Sequence, residues 1–408
     1  MSNHKTFYGL PETVKFCKLC VISNQRPSST VEFKNKNTKK HTILFGDDGI
    51  CSACNYNSIK NDINWQKREE ELYQFLEKYR RTDGSYDCII PSSGGKDSSF
   101  TAHIVKYKYG MNPLTVTWAP NMFTQTGWNN LQSLATEGGI DNILYTPNGR
   151  LHRYLTRQAF LNLGHPFQPF IHGQKIIGPL MALKFNVPLI IYGENQAEYG
   201  NKVEDNFEPK MDPSFFTCDN PKDMILGGIS VEEILQQGQF SQKELAPYLP
   251  LKKEEIESNE LNKIFLGYFE RWDPQECYYY AAEHTGFQAA PERSEGTYSK
   301  YTEIDDKIVP FHFFTTFIKF GIGRATYDAS QEIRNSKITR EEGVALVSRY
   351  DHEFPERWYE DFLDYLSIDD NIFWKTIDLL RSPHLWKKED RKWKLRHNVA
   401  LTGCDDVS

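Results

Sequence analysis

Ser93-Gly94-Gly95-Lys96-Asp97-Ser98 is a run suited to handling phosphate. Two adjacent glycines let backbone N–H groups approach an oxyanion closely, and the Ser93 and Ser98 hydroxyls can donate to phosphate oxygens. A helix beginning at this point adds the partial positive charge of its N-terminus. Lys96 can neutralise phosphate charge, whereas the Asp97 carboxylate suits Mg²⁺ better than phosphate itself. An ordinary strand–turn–helix connection would account for a lone Gly-Gly. The complete hexapeptide, placed in the first strand-to-helix turn of an alternating segment, favours phosphate. It is not the G-x-x-x-x-G-K-[ST] pattern of kinases and GTPases.

A second chemistry is written in Cys17-Lys-Leu-Cys20 and Cys51-Ser-Ala-Cys54. Each short C-x-x-C turn can aim two thiolates at one ion, and four cysteines complete the tetrahedron zinc prefers. With no coordination position left open, such a zinc is structural. Unrelated reduced thiols or a redox C-x-x-C are the plainer readings. Two units in a segment with little apolar content of its own favour the metal. Spacing alone leaves iron–sulfur ligation open.

Three further places carry polar groups of interest. Gly193-Glu194-Asn195-Gln196-Ala197-Glu198 follows an apolar strand, and ligands gather at the carboxyl ends of parallel strands. Either Glu194 or Glu198 can therefore complete a magnesium site with Asp97. His172-Gly173-Gln174 is expected to open a helix, where His172 and Gln174 can face substrate or simply cap and pack. Arg324, after Gly321-Ile322-Gly323, can offer a bidentate guanidinium to phosphate or a carboxylate, or sit on the surface.

These groups need a scaffold, and the apolar pattern supplies one. A helix is expected over Trp65–Arg81. Strands follow at Cys88–Ile90, Leu114–Trp118, Asn142–Tyr145 and Val187–Tyr192. Helices are expected over Asp97–Tyr109, Trp128–Thr136, Leu151–Leu163 and His172–Phe185. Such alternation argues for an α/β fold with a parallel, doubly wound sheet. The expected organisation is a zinc-ribbon segment at 1–62, an α/β domain carrying the phosphate loop at 63–205 and a mainly helical region for substrate or partners at 206–408. Helices there include Arg340–Tyr350 and Arg357–Leu366.

Composition sets the outer limits. The chain has 408 residues, with 39% apolar and 25% charged, which excludes wholesale disorder. No apolar run approaches a membrane span, and no secretion signal follows Met1, so the expected compartment is the cytoplasm. The net charge of −7 argues against a duplex-nucleic-acid binder. Residues 1–62 nevertheless carry +4, with Lys34–Lys40 a polar, Lys-rich run, and Trp386–Lys394 is basic and tryptophan-bearing. That latter run has the look of the wet face of a terminal helix, or of a dock for an acidic partner or RNA.

The hexapeptide resembles the S-G-G-x-D-S signature of the PP-loop ATP pyrophosphatases (adenine nucleotide alpha hydrolase-like fold). With the cysteine pairs, Arg26-Pro27, Tyr192-Gly193-Glu194-Asn195, Ala197-Glu198-Tyr199-Gly200 and Lys319–Thr326, the chain resembles the N-acetyl sugar amidotransferase family over roughly residues 14–350. The resemblance implies an ATP- and Mg²⁺-dependent enzyme of bacterial surface-polysaccharide or nonulosonic-acid synthesis. It would turn a sugar acetamido group into an acetamidino group by adenylation and attack of ammonia. It further implies ATP contacts at Ser93, Gly94, Gly95, Asp97, Ser98, Glu194 and Asn195, with Lys96 and Asp97 catalytic. No N-terminal catalytic cysteine and no Gly-x-Cys-x-Gly elbow occurs. Cys88, Cys218, Cys277 and Cys404 stand alone, so the family implies a separate glutaminase subunit and a cyclase-like partner. A tRNA-thiolating enzyme with an N-terminal zinc ribbon is the alternative, disfavoured by the single late cysteines and the acidic charge.

Overall fold

The computed structural model describes residues 4–27, 41–195, 198, 209–210, 220, 222 and 224–401. The run Lys34–Lys40, the Ala197, Tyr199 and Gly200 positions, Cys218 and Cys404 lie outside them. At its centre is a five-stranded, all-parallel sheet in the order β3-β2-β1-β4-β5. The strands are β1 (Cys88–Pro91), β2 (Pro113–Trp118), β3 (Asp141–Tyr145), β4 (Leu189–Tyr192) and β5 (Asn262–Phe265). Their alternation divides the core. Ile89, Leu114, Val116 and Ile190 point to one face, under α5 (Gly149–Leu163) and α6 (Gln168–Phe185). Cys88, Ile90, Leu189 and Ile191 point to the other, with α2 (Trp65–Leu76), α3 (Lys96–Tyr107) and Leu134 of α4 (Gln125–Thr136).

The chain runs outward from β1 to β3, then returns to β4 on the other side of β1. The strand order therefore reverses between β1 and β4, where open α/β sheets bind ligands. β5 was not anticipated. Its Asn262-Lys263-Ile264-Phe265 is too short and too little alternating to stand out, yet it pairs with β4 throughout and carries the sheet past the expected boundary at 205.

The cysteine segment shares a hydrophobic core with late helices. Cys17, Cys20, Cys51 and Cys54 pack in one cluster with Phe311, Phe314, Phe317, Phe362 and Phe373. The second cysteine pair runs directly into α1 (Ser52–Asp62). Beyond β5 come α7 (Pro274–His284), α8 (Val309–Phe320), α9 (Arg324–Arg334) and α10 (Arg340–Tyr350). Arg340–Tyr350 is helical as expected, opened by a Thr339–Glu342 capping box. The next expected helix, Arg357–Leu366, is present as a 3₁₀ turn over Glu356–Trp358 that leads into an α-helix over Tyr359–Leu366.

The basic Trp386–Lys394 run is not a helical face. It is a β-hairpin, Trp386–Glu389 against Lys392–Leu395, turned by Asp390 and Arg391 at φ +49° and +64°. Within it Trp386 is buried, while Lys388, Lys392 and Lys394 are exposed. Among the described residues no helix is long and apolar enough to cross a membrane.

Candidate active site

The loop after β1 is held by its own backbone and hydroxyls. Ser92 N–H donates to Val116 O at 2.9 Å, extending the β1–β2 ladder. The Ser92 hydroxyl accepts Gly94 N–H at 3.1 Å and donates to Ser98 Oγ at 2.9 Å, which donates to Gly95 O at 3.1 Å. Ser92 was missed because it precedes the recognisable run. The two glycines do different work. Gly94 has φ +78°, and a Cβ there would lie 2.6 Å from Leu131 Cα. Gly95 has no such strain, and its Cβ would meet only Ser93 Oγ at 3.2 Å. Gly95 is also the N-cap of α3 without any side-chain cap, so the first turn presents its N–H groups to whatever occupies the space above.

That space is a cavity of about 640 Å³ lined by Ser92–Ser98, by Gln174 of α6 and Glu194 after β4, and by α8 and α9. Lys96 is buried, and its ammonium contacts Asp97 Oδ2 at 2.5 Å. Burial alone would lower Lys96, but Asp97 together with Cys277 and Glu194 outweighs it and holds the ammonium above its usual range. Burial, then the neighbouring Asp97 charge, pushes the Glu194 carboxyl up to about 8. Asp97 Oδ1 and Glu194 Oε2 are buried with no hydrogen-bond partner among the described residues. Two orphaned carboxylate oxygens in one cavity are the hard donors Mg²⁺ takes, so these residues fit that ion.

Of the two candidate glutamates, the cavity takes Glu194. Glu198 is directed elsewhere: its carboxylate receives Lys60 of α1 at 2.8 Å, and Arg334 donates to its backbone oxygen at 2.9 Å. Asn195 is buried beside Tyr56 and does not line the cavity. His172 does not line it either. The helix expected to open at His172 begins at Gln168, which places His172 mid-helix in the interior, where burial pulls it down to about 3. Gln174, two residues on, does face the cavity.

Arg324 lines the opposite wall rather than the surface. Its guanidinium spans Glu303 at 2.7 Å and Asp328 at 2.9 Å, whose charges outweigh burial and keep it firmly protonated. Most of this wall was not legible. His312 stacks on His165 with centroids 4.7 Å apart, and burial lowers it to about 3, a neutral imidazole. Asp305, which bonds Ser93, is pushed up to about 6 by burial. The one local hint was the Phe-His-Phe run at 311–313, a polar ring among aromatics.

Away from the cavity, the four cysteine sulfurs lie within 4.8 Å of one another. Cys17 Sγ and Cys54 Sγ are 3.8 Å apart, as are Cys20 and Cys51. Bonds of ~2.3 Å to one tetrahedral ion place donors ~3.8 Å apart, so the set fits a single zinc. Four thiolates on separate irons of a cubane cluster would be spread wider.

Residues 295–399 match the family model described as LPS biosynthesis protein WbpG-like, C-terminal domain. This bears out the resemblance drawn from the sequence, and α8 and α9, the wall opposite the loop, lie inside the matched stretch. An uncharacterized protein of Methanocaldococcus jannaschii is 31% identical over 100 residues, 24% of this chain; the match spans 31% of that relative's length. Similar solved structures include the U34-tRNA thiolase NcsA of Methanococcus maripaludis with its [4Fe-4S] cluster. It is 12% identical, with 78% of this chain and 90% of that one covered and a TM-score of 0.31. The NH3-dependent NAD synthetase of Campylobacter jejuni is 15% identical, over 32% of this chain and 56% of that one, with a TM-score of 0.26.

Proposed function

We propose, from a chain in which a WbpG-like C-terminal stretch closes over a phosphate-binding loop, an ATP-dependent, AMP-forming amidotransferase acting on an N-acetylated, nucleotide-linked sugar. The observation that carries this reading is the shared cavity. The loop and its orphaned carboxylates form one wall, and the residues of the lipopolysaccharide-type match form the other.

An amide oxygen is a poor leaving group. Transfer of AMP from ATP to the acetamido oxygen releases pyrophosphate, and ammonia then adds to the activated carbon. Collapse expels AMP with that oxygen and leaves an amidine. The α3 N-terminus and loop N–H groups are placed to hold the departing pyrophosphate, and Lys96 to offset its charge. Asp97 and Glu194 would hold magnesium, which would supply neutralising charge to the phosphates. Ammonia supply falls to a separate glutaminase subunit with a cyclase-like partner, the structural zinc remains with the four cysteines, and the setting is the cytoplasm.

The test supplies ATP, Mg²⁺, ammonium and candidate diacetamido nucleotide sugars, and follows products by mass spectrometry. AMP, pyrophosphate and a sugar lighter by the difference between O and NH are expected. Release of ADP, or pyrophosphate independent of any sugar, overturns the reading.

A further inference from the structure

Arg324 opens α9 on the cavity wall facing the loop, and its two acidic partners hold it unequally. Asp328, one turn along the helix, takes Nε at 2.9 Å; its side chain is 7% exposed and also accepts the Thr297 hydroxyl at 2.6 Å. The ring of Phe313 lies 4.6 Å from the guanidinium carbon. These contacts fix the position of a guanidinium whose Nη1 meets Glu303 at 2.7 Å.

Glu303 is held far less firmly. Its side chain lines the cavity but is 43% exposed, and among the described residues its carboxylate is bonded to Arg324 alone. Its backbone sits at φ +50°, a left-handed conformation that a residue with a Cβ adopts at a cost. It also stands among like charges, since its own charge helps to raise the Asp305 and Glu194 carboxyls. A side chain that is strained, repelled and partly in water is poorly secured for the partner of a buried arginine.

We propose that Arg324 anchors the oxyanion of the sugar substrate, and that Glu303 fills that position until the substrate displaces it. The phosphates of ATP belong to the loop, so a phosphate or carboxylate carried by the sugar needs a cation elsewhere in the cavity. A guanidinium meets either group with paired hydrogen bonds, and Asp328 keeps this one aimed after Glu303 has left. Displacement also takes Glu303 away from Asp305 and Glu194, which offsets part of the cost of breaking its pair. This rests on the nucleotide-linked sugar reading above and names the residue that would hold that substrate's charge.

The test is calorimetric binding to wild type, Glu303→Gln and Glu303→Asp with three probes. UDP-N-acetylglucosamine carries phosphate and no carboxylate, a free N-acetylated hexuronate carries carboxylate and no phosphate, and Mg·pyrophosphate reports on the loop. Glu303→Gln weakens the competitor and should tighten one or both sugars about two- to fivefold, the worth of a partly exposed ion pair. Which sugar gains identifies the oxyanion. Glu303→Asp keeps the charge but is too short to hold Arg324 as closely. It should tighten the same sugar and leave Mg·pyrophosphate unchanged, which a general loss of negative charge would not do. In Arg324→Gln that sugar should bind about tenfold or more weakly, and adding Glu303→Gln should then bring no gain. No gain for either sugar in Glu303→Gln, an equal gain for Mg·pyrophosphate in Glu303→Asp, or a gain that persists without Arg324 overturns the proposal while leaving the sugar reading intact. If wild type and variants bind Mg·pyrophosphate but neither sugar, both fall.

Discussion

The cavity has two walls that hold their charged groups by different means. The loop itself is local, since Ser92, Gly94, Gly95 and Ser98 bond one another, and beside it two carboxylate oxygens, of Asp97 in the loop and Glu194 after β4, have no partner among the described residues. The helical wall is matched internally, as Arg324 is clasped by Glu303 and Asp328 drawn from separate segments. Carboxylate oxygens are left open on one side, whereas on the other the charged Arg324 is paired and the atom without a partner among the described residues, His312 Nδ1, belongs to a neutral ring. The charge imbalance that a bound cation would relieve therefore lies on the loop wall.

Breaking the loop wall should act on chemistry. Asp97→Asn removes a carboxylate proposed to hold magnesium and should slow sugar-dependent pyrophosphate release by about 10²–10³-fold, with some loss of melting temperature because the buried Lys96 ammonium loses its partner. Breaking the helical wall should act on folding. Arg324→Met strands Asp328, whose side chain is 7% exposed, and should cost about 2–3 kcal/mol in denaturant unfolding, less than for a fully buried pair because Glu303 is partly exposed.

The two glycines sharpen the contrast within a single turn. Gly94→Ala must place a side chain at φ +78° against the Leu131 backbone and should lose about 2 kcal/mol of stability. Gly95→Ala meets only a serine hydroxyl and should lose less than about 0.5 kcal/mol, yet bind ATP more weakly because the methyl intrudes where phosphate approaches.

A smaller effect follows from Glu194, raised from 4.5 to about 8. Between those values the metal-free folded protein holds a proton that the unfolded chain has released. Stability therefore falls as pH rises through that window. In chelator, the melting temperature of wild type should drop by about 2 °C or more from pH 5 to pH 9 relative to Glu194→Gln. Magnesium should narrow the gap by stabilising the ionised form.

This division also explains what could be read in advance. The loop, the cysteine pairs and four of the sheet strands were legible because each is set by consecutive residues: glycines, paired thiols, short apolar runs. Gln174 and Arg324 were found at the cavity as well. Glu198 and His172 were misplaced for lack of information a sequence does not print. Glu198 is taken by Lys60, distant in the chain, and His172 is turned inward by a helix that starts four residues earlier. Asp305 and His312 gave little local sign, since their meaning comes from what packs beside them.

The central claim is that the loop activates a sugar oxygen with AMP before nitrogen arrives. Exchange of labelled pyrophosphate into ATP, measured without ammonium, tests it most directly. The account predicts exchange that requires the N-acetylated sugar and disappears in Asp97→Asn. Exchange that persists without sugar, or appears only once ammonium is added, contradicts it.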